Sequence, residues 1–261
     1  MDLGIFCKST LDGEAVDHCF SAIFGITKNA DPSYLDWLLK AWGWTLAVAG
    51  LSLVIALILG AVMGTLRTLP SESRLNRSLV TISTAWVELF RNIPILVQVF
   101  LWYHVIPAFF QPLKALPSYL LVSIALGFFT SARIAEQVRA GIQSLPSGQR
   151  AAATALGLTT LQVYRYIILP MALRIVIPPL TSESMNVIKN SSVAFAVSVP
   201  ELTLFAMQAQ EETSHGVEIY LAVTGLYALS AFAINRVMAL IEKRSRIPGF
   251  IASSSDASLA H

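Results

Sequence analysis

Apolar and polar residues are distributed along this chain in long blocks rather than at a helical or strand period. Residues 1–40 are mixed, with three lysines among six acids. Ala41 to Leu66 then runs for 26 residues without a charge. That length spans a ~30 Å hydrocarbon core with some tilt. A basic connector follows, holding Arg67, Arg74, Arg77 and Arg91. Within it, Leu79 to Phe90 is apolar enough for a helix lying in or entering a membrane. Ile93 to Phe110 predicts a second span, with Pro94 in its first turn, where a missing N–H costs little. Ser118 to Ala132, extended through Ile134, predicts a third. Pro170 to Val199 predicts a fourth, broken by Pro178-Pro179 and carrying Glu183 and Lys189. A polar link from Pro200 to Glu218 leads to a fifth span, Ile219 to Ile241. The pattern predicts an all-α polytopic membrane protein of five transmembrane helices. Residues 1–40 form an N-terminal segment, 41–247 the transmembrane domain, and 248–261 a tail.

Composition agrees with this pattern. Hydrophobic residues make up 55% of the chain and charged ones 13%, against ~25% charged in a typical soluble domain. No basic start leads into an early apolar core, so residues 1–40 do not read as a cleavable signal peptide. Five spans put the ends on opposite sides. Thirteen Lys and Arg residues fall on one side and four on the other. Basic loops stay cytoplasmic, which predicts a periplasmic N-terminus and a cytoplasmic C-terminus. Net charge is only +2, and no basic stripe suggests a nucleic-acid partner.

Catalytic signatures are missing. There is no G-x-x-x-x-G-K-[ST] phosphate loop, no H-E-x-x-H and no G-x-S-x-G. The four histidines lie on different segments, so neither a metal site nor any other cofactor is expected in this chain. Ser191-Ser192 has no histidine nearby in sequence to activate it. Cys7 and Cys19 both precede the first span, on the side where disulfides persist. A bridge and two free thiols are both compatible with that placement.

The stretch from Ser147 to Pro170 is more specific. Ser147 to Leu156 predicts a small-residue helix, with Gly157 as its left-handed C-cap. Thr159 and Gln162 have capping-box spacing, so a second helix should start there. Two short helices with a corner make a compact knob. Small residues at Ala151, Ala152 and Ala153 let a partner approach closely, although a plain surface connector would have the same pattern. The segment resembles the E-A-A-x3-G-x9-I-x-L-P loop of inner-membrane subunits of bacterial ABC importers. Ala152, Ala153, Gly157, Ile167, Leu169 and Pro170 fall in register, and Ala151 stands where that family has glutamate. Glu88-Leu-Phe-Arg-Asn-Ile-Pro-Ile-Leu-Val-Gln98 is similar to a stretch of the polar amino acid permeases. Ala135 to Pro146 and Leu169 to Arg174 match the same family.

The resemblance covers residues 41–247 and is nearest to glutamate/aspartate permeases. Phe129-Thr-Ser-Ala-Arg, Pro178-Pro-Leu-Thr-Ser-Glu and Val187-Ile-Lys-Asn-Ser carry that likeness. It implies a type I-like importer fold in the bacterial inner membrane. It also implies a coupling helix docking on an ATPase through Ala151, Ala152, Ala153, Gly157 and Leu158. The implied partners are a second permease subunit, identical or homologous, two cytoplasmic ATP-binding subunits and a periplasmic amino-acid-binding protein. ATP hydrolysis then belongs to a separate chain, and this one is not an enzyme.

Lys189 is the one cation within a predicted span. A lysine at the centre of a membrane helix costs ~2.5–3.5 kcal/mol on insertion scales, so it should face protein or water. Glu183, Asn186 and Asn190 share a helix face at spacings of three and four. Lys189 either pairs with an acid on another helix or lines a path. The resemblance favours the path, with Lys189, Asn190, Glu183, Asn186 and Ser191 along it. Many polar amino acid permeases carry an acid immediately after this lysine, where Asn190 stands here, and a dicarboxylate substrate would favour that change. The alternative, an ion-coupled secondary transporter, usually shows two related halves. No internal repeat is found.

Overall fold

The computed structural model describes residues 3–11, 13–15, 33–70 and 73–245. Helix α1 spans Tyr34–Leu66. It starts inside the segment read as preceding the first span. Ser33 and Asp36 form a capping box: the Asp36 N–H donates to Ser33 Oγ at 3.2 Å and the Ser33 N–H to Asp36 Oδ2 at 3.1 Å. A helix start among charges is invisible to a search for uncharged runs.

Helix α2, Arg74–Asn92, meets α3, Ile95–Phe109, at a bend of 107°. Pro94 has no N–H to give the Phe90 carbonyl. Gln98 supplies the missing donor: its Nε2 donates to Phe90 O at 2.8 Å and Ile93 O at 2.9 Å. Helix α4, Ser118–Gln143, is the centre of the bundle. It extends well past Ile134, so Arg133 lies within a helix rather than at the head of a loop. Its buried stripe Ile134, Val138 and Ile142 continues the helical period.

Helix α5, Ser147–Ala155, and α6, Thr160–Val197, follow. Helix α6 is not broken at Pro178-Pro179, contrary to expectation, and runs helically through both prolines. Its irregular turns lie at other places. A π turn, Tyr164–Ile168, ends two residues before Pro170, and a 3-10 segment, Ser191–Val197, closes the helix. A second π turn, Leu101–Val105 in α3, ends two residues before Pro107. A proline clashes with the carbonyl four residues back, and a wider turn there relieves the clash.

The stretch read as a polar link contains α7, Leu202–Thr213, whose stripe Leu202, Phe205, Ala206 and Ala209 packs on Tyr34, Leu38 and Ala41. Glu201 caps it through the N–H groups of Thr203 and Leu204, at 2.9 and 3.0 Å. The Tyr227 hydroxyl donates to the same carboxylate at 2.8 Å. Burial pushes the Glu201 carboxyl above its ordinary value, despite these hydrogen bonds. Helix α8, Gly216–Ser245, completes the described chain. Among the described residues, four helices (α1, α4, α6 and α8) are long and apolar enough to cross a membrane, and the bent pair α2–α3, counted as one span, gives a fifth.

The most extensive seam joins α1 to α4. A Cβ on Gly60 would sit 2.6 Å from Ile134 Cγ2, and one on Gly64 2.6 Å from the Ala135 carbonyl oxygen. From the other side, a Cβ on Gly127 would meet Ile55 at 2.7 Å. The Gly60-x-x-x-Gly64 spacing is therefore a close-packing seam.

Candidate functional site

Two sets of residues stand out, one at the end of the bundle and one along α6. The first is the knob formed by α5 and the start of α6. Gly157 sits at φ +81°. Its N–H donates to Thr154 O at 2.9 Å and the Leu158 N–H to Ala153 O at 3.2 Å, the paired bonds of a Schellman motif. The Thr159–Gln162 capping box forms as expected. Tyr164 holds the knob to the bundle. It accepts a hydrogen bond from Arg150 Nη2 at 2.8 Å, and its hydroxyl donates to the Thr68 carbonyl just beyond α1.

Ala153 is buried against Val163, Tyr164 and Ile168, and Leu158 packs on the same cluster. Ala153 is turned inward, while Leu158 is half-buried at the edge of the knob. Ala151, Ala152 and Gly157 are exposed. Leu156 and Leu161, absent from the predicted set, are 80% and 77% exposed. They leave large apolar side chains open at the loop tip. The signal was present in sequence, as leucines on either side of a glycine corner.

The second set lies along α6. Glu183 is buried and turned towards α4, where Arg133 grips it with two bonds: Nε to Oε2 at 2.9 Å and Nη2 to Oε1 at 3.0 Å. Gln137 Nε2 adds a third at 3.2 Å. Arg133 was not among the residues expected here, because it falls at the very end of the third predicted span and its partner lies on another helix. The pair neutralises itself, so Glu183 is not available to Lys189. Asn186 and Asn190 are half-buried. Ser191 is buried and its Oγ donates to the Ile188 carbonyl at 2.7 Å, so it is turned away from the exposed side.

Lys189 itself is exposed on the single chain and has no ion pair or side-chain hydrogen bond among the described residues. Its neighbours Val187 and Ile188 pack against Val122 and Ala125 of α4 and Val48 and Ala49 of α1, which puts it well within the apolar bundle. Ser182, one heptad earlier, is exposed on the same face of α6. A charged face at this depth has to meet water or another chain, because lipid would leave it unsolvated. Cys7 lies in a 3-10 turn, Leu3–Cys7. Cys19 is outside the described residues, as is the tail 248–261.

The chain is similar to known proteins along most of its length. Residues 56–247 match the model of the family described as binding-protein-dependent transport system inner membrane component. The glutamate/aspartate import permease protein GltJ of Escherichia coli K12 is 41% identical over 227 residues, which cover 83% of this chain and 90% of that protein. The probable glutamine ABC transporter permease protein GlnM of Bacillus subtilis is 34% identical over 77% of this chain and 89% of its own length. Among solved structures, a crystal structure of an amino acid ABC transporter with histidines matches with a TM-score of 0.69 and 26% identity, covering 81% of this chain and 95% of that one. The MetNI methionine ABC transporter in an inward-facing conformation matches with a TM-score of 0.70 at 21% identity, over 81% of this chain and 97% of that one, a likeness of fold.

Proposed function

The chain belongs to the inner membrane components of binding-protein-dependent transport systems, and we propose that it is the permease subunit of an ATP-driven importer of acidic amino acids. The observation that carries the substrate class is Lys189, a cation at membrane depth without a partner among the described residues. A carboxylate in a low-dielectric path interacts with such a cation far more strongly than in water. Asn190 beside it offers donors and an acceptor without repelling an acid. The name of the similar GltJ permease supports the same class. The Arg133–Glu183 pair is a structural brace below this point, ~9 Å along the helix at 1.5 Å per residue.

The exposed strip on α6 is the face that a second permease subunit completes, identical or homologous to this one. Ala151, Ala152, Leu156, Gly157 and Leu161 form the surface that docks on a cytoplasmic ATP-binding subunit. ATP is hydrolysed there, and this chain passes substrate delivered by a periplasmic binding protein. The excess of basic residues at the knob end favours a cytoplasmic knob and C-terminus and a periplasmic N-terminus.

Transport by the assembled complex in vesicles tests this reading. Glutamate or aspartate uptake should require ATP on the knob side and the binding protein on the other. Uptake driven by an ion gradient without ATP would restore the secondary-transporter alternative. Leu156→Asp should leave the subunit inserted while uncoupling ATP hydrolysis from uptake. Parental coupling in that variant would remove the docking role of the knob's tip.

A further inference from the structure

One side of the bundle carries an apolar groove of about 550 Å3 between α1, α4 and α6. Leu57, Ala61 and Thr65 form one wall, Ile134 and Val138 the floor, and Leu173 stands at the rim, 58% exposed. Directly beyond it, towards the knob, lies a second cavity of about 390 Å3 of different chemistry. Arg67, Thr68, Gln143, Ser147 and Arg150 line it. The two continue along the same helix faces. On α4 the floor passes from Ile134 and Val138 to Ile142, and on α1 the wall passes from Leu57, Ala61 and Thr65 to Thr68, at steps of three and four residues.

The polar cavity sits in a positive region. Glu136 is shared by Arg67, Arg91 at 3.7 Å and Arg139 at 2.9 Å. One carboxylate among three guanidiniums leaves a positive surplus. Arg150 adds another cation. It donates to the neutral Tyr164 hydroxyl and lies over that ring, 5.2 Å from its centre, and it meets no carboxylate among the described residues.

An apolar groove whose helix faces lead at one end to a cationic pocket has the shape and polarity of an amphiphile. We propose that a glycerophospholipid with an anionic headgroup occupies it. One acyl chain lies in the groove along Ala61, Val138 and Leu173. The headgroup phosphate is held by Arg150, with Arg67 and Thr68 beside it. A second protein chain fits less well, because the positive charge is confined to one end and the groove is lined almost wholly by aliphatic carbon. Arg67 follows the end of α1 and Arg150 belongs to the knob, so the lipid bridges a span and the coupling element. This site is separate from the Lys189 face and does not depend on the substrate assignment.

Native mass spectrometry of the assembled, detergent-solubilised transporter tests the proposal with three probes: dioleoylphosphatidylglycerol, dioleoylphosphatidylcholine and inorganic phosphate. Phosphatidylglycerol should be retained about ten-fold more tightly than phosphatidylcholine, which has the same phosphate but a choline ammonium that the surrounding arginines repel. Arg150→Gln should remove that preference. Leu173→Trp, at an exposed rim position that tolerates bulk, should weaken both lipids by filling the groove. Equal retention of the two lipids, or an unchanged Leu173→Trp variant, would overturn the proposal. Full displacement of phosphatidylglycerol by inorganic phosphate would reduce it to an anion site without an acyl groove. Efficient cross-linking of Ala61→Cys to another permease subunit in membranes would assign the groove to a protein contact instead.

Discussion

The α1–α4 seam and the outer face of α6 are built on opposite principles. At the seam, Gly60, Gly64 and Gly127 bring two backbones so close that a methyl group has no space. Nothing polar is left open there, and the contact is complete within one chain. On α6, Ser182 and Lys189 are exposed at the depth of the apolar core. That face is unfinished in a membrane, because a lysine left facing lipid costs ~2.5–3.5 kcal/mol. A region finished within the chain speaks of folding. A region left unfinished speaks of the partner or the water that completes it.

Adding atoms to the closed side should do the most damage. Gly60→Leu, and more so the Gly60→Leu/Gly64→Leu double variant, should abolish the folded subunit. Overpacking costs ~1–3 kcal/mol or more per site, and here the obstacles include backbone. Limited proteolysis in membranes measures it, and a protected α1–α4 fragment at parental level would contradict the seam. Lys189→Met makes the opposite change, removing a charge from the open side. It should insert and assemble normally while glutamate and aspartate uptake falls at least ten-fold, about 1.4 kcal/mol or more. Parental uptake at parental protein level would make Lys189 structural.

The next variant lies at the bend between α2 and α3, where a polar side chain finishes a closed region. Gln98→Leu leaves the Phe90 and Ile93 carbonyls without their donor. The cost should be ~1–3 kcal/mol, seen as a lower unfolding temperature with substrate affinity unchanged. The smallest effect concerns Glu201. Its carboxyl is raised in the folded chain by burial, so the folded state holds a proton that the unfolded state releases more readily. Stability should therefore be greatest below the ordinary carboxylate range and fall as pH rises through the raised value. Glu201→Gln should flatten that dependence. A parental stability that instead rises with pH across this window would exclude the assignment.

The same contrast explains what was legible in the sequence. Uncharged runs located the membrane segments, because hydrocarbon thickness acts on composition alone. Gly157 and the Thr159–Gln162 pair fixed the knob's corners, because caps are local. Which side of a helix is covered is not local. Ala153 and Leu158 have the same small or apolar character as Ala152 and Leu156, and only the position of Tyr164 and Ile168 decides that Ala153 turns inward and Leu158 packs at the edge. Arg133 looked like the end of a span because a charge there has no visible partner within the run. Its partner Glu183 is 50 residues away. Pro178-Pro179 looked like a break, yet the surrounding packing keeps the helix continuous.

The π turn at Tyr164–Ile168 has a further consequence for timing and direction. A π turn is a helix with one residue wound in beyond the regular count, and each residue carries ~100° of rotation at 3.6 per turn. Knob and lysine therefore sit on one shaft, Thr160–Val197, and the extra residue sets the angle between them. Smoothing that turn into a regular helix would swivel the shaft beyond Leu169 by roughly a quarter turn. Lys189 would then change its bearing while moving only about 1.5 Å along the axis. A tug on the knob, applied where the winding is loosest, would reach the lysine as torsion.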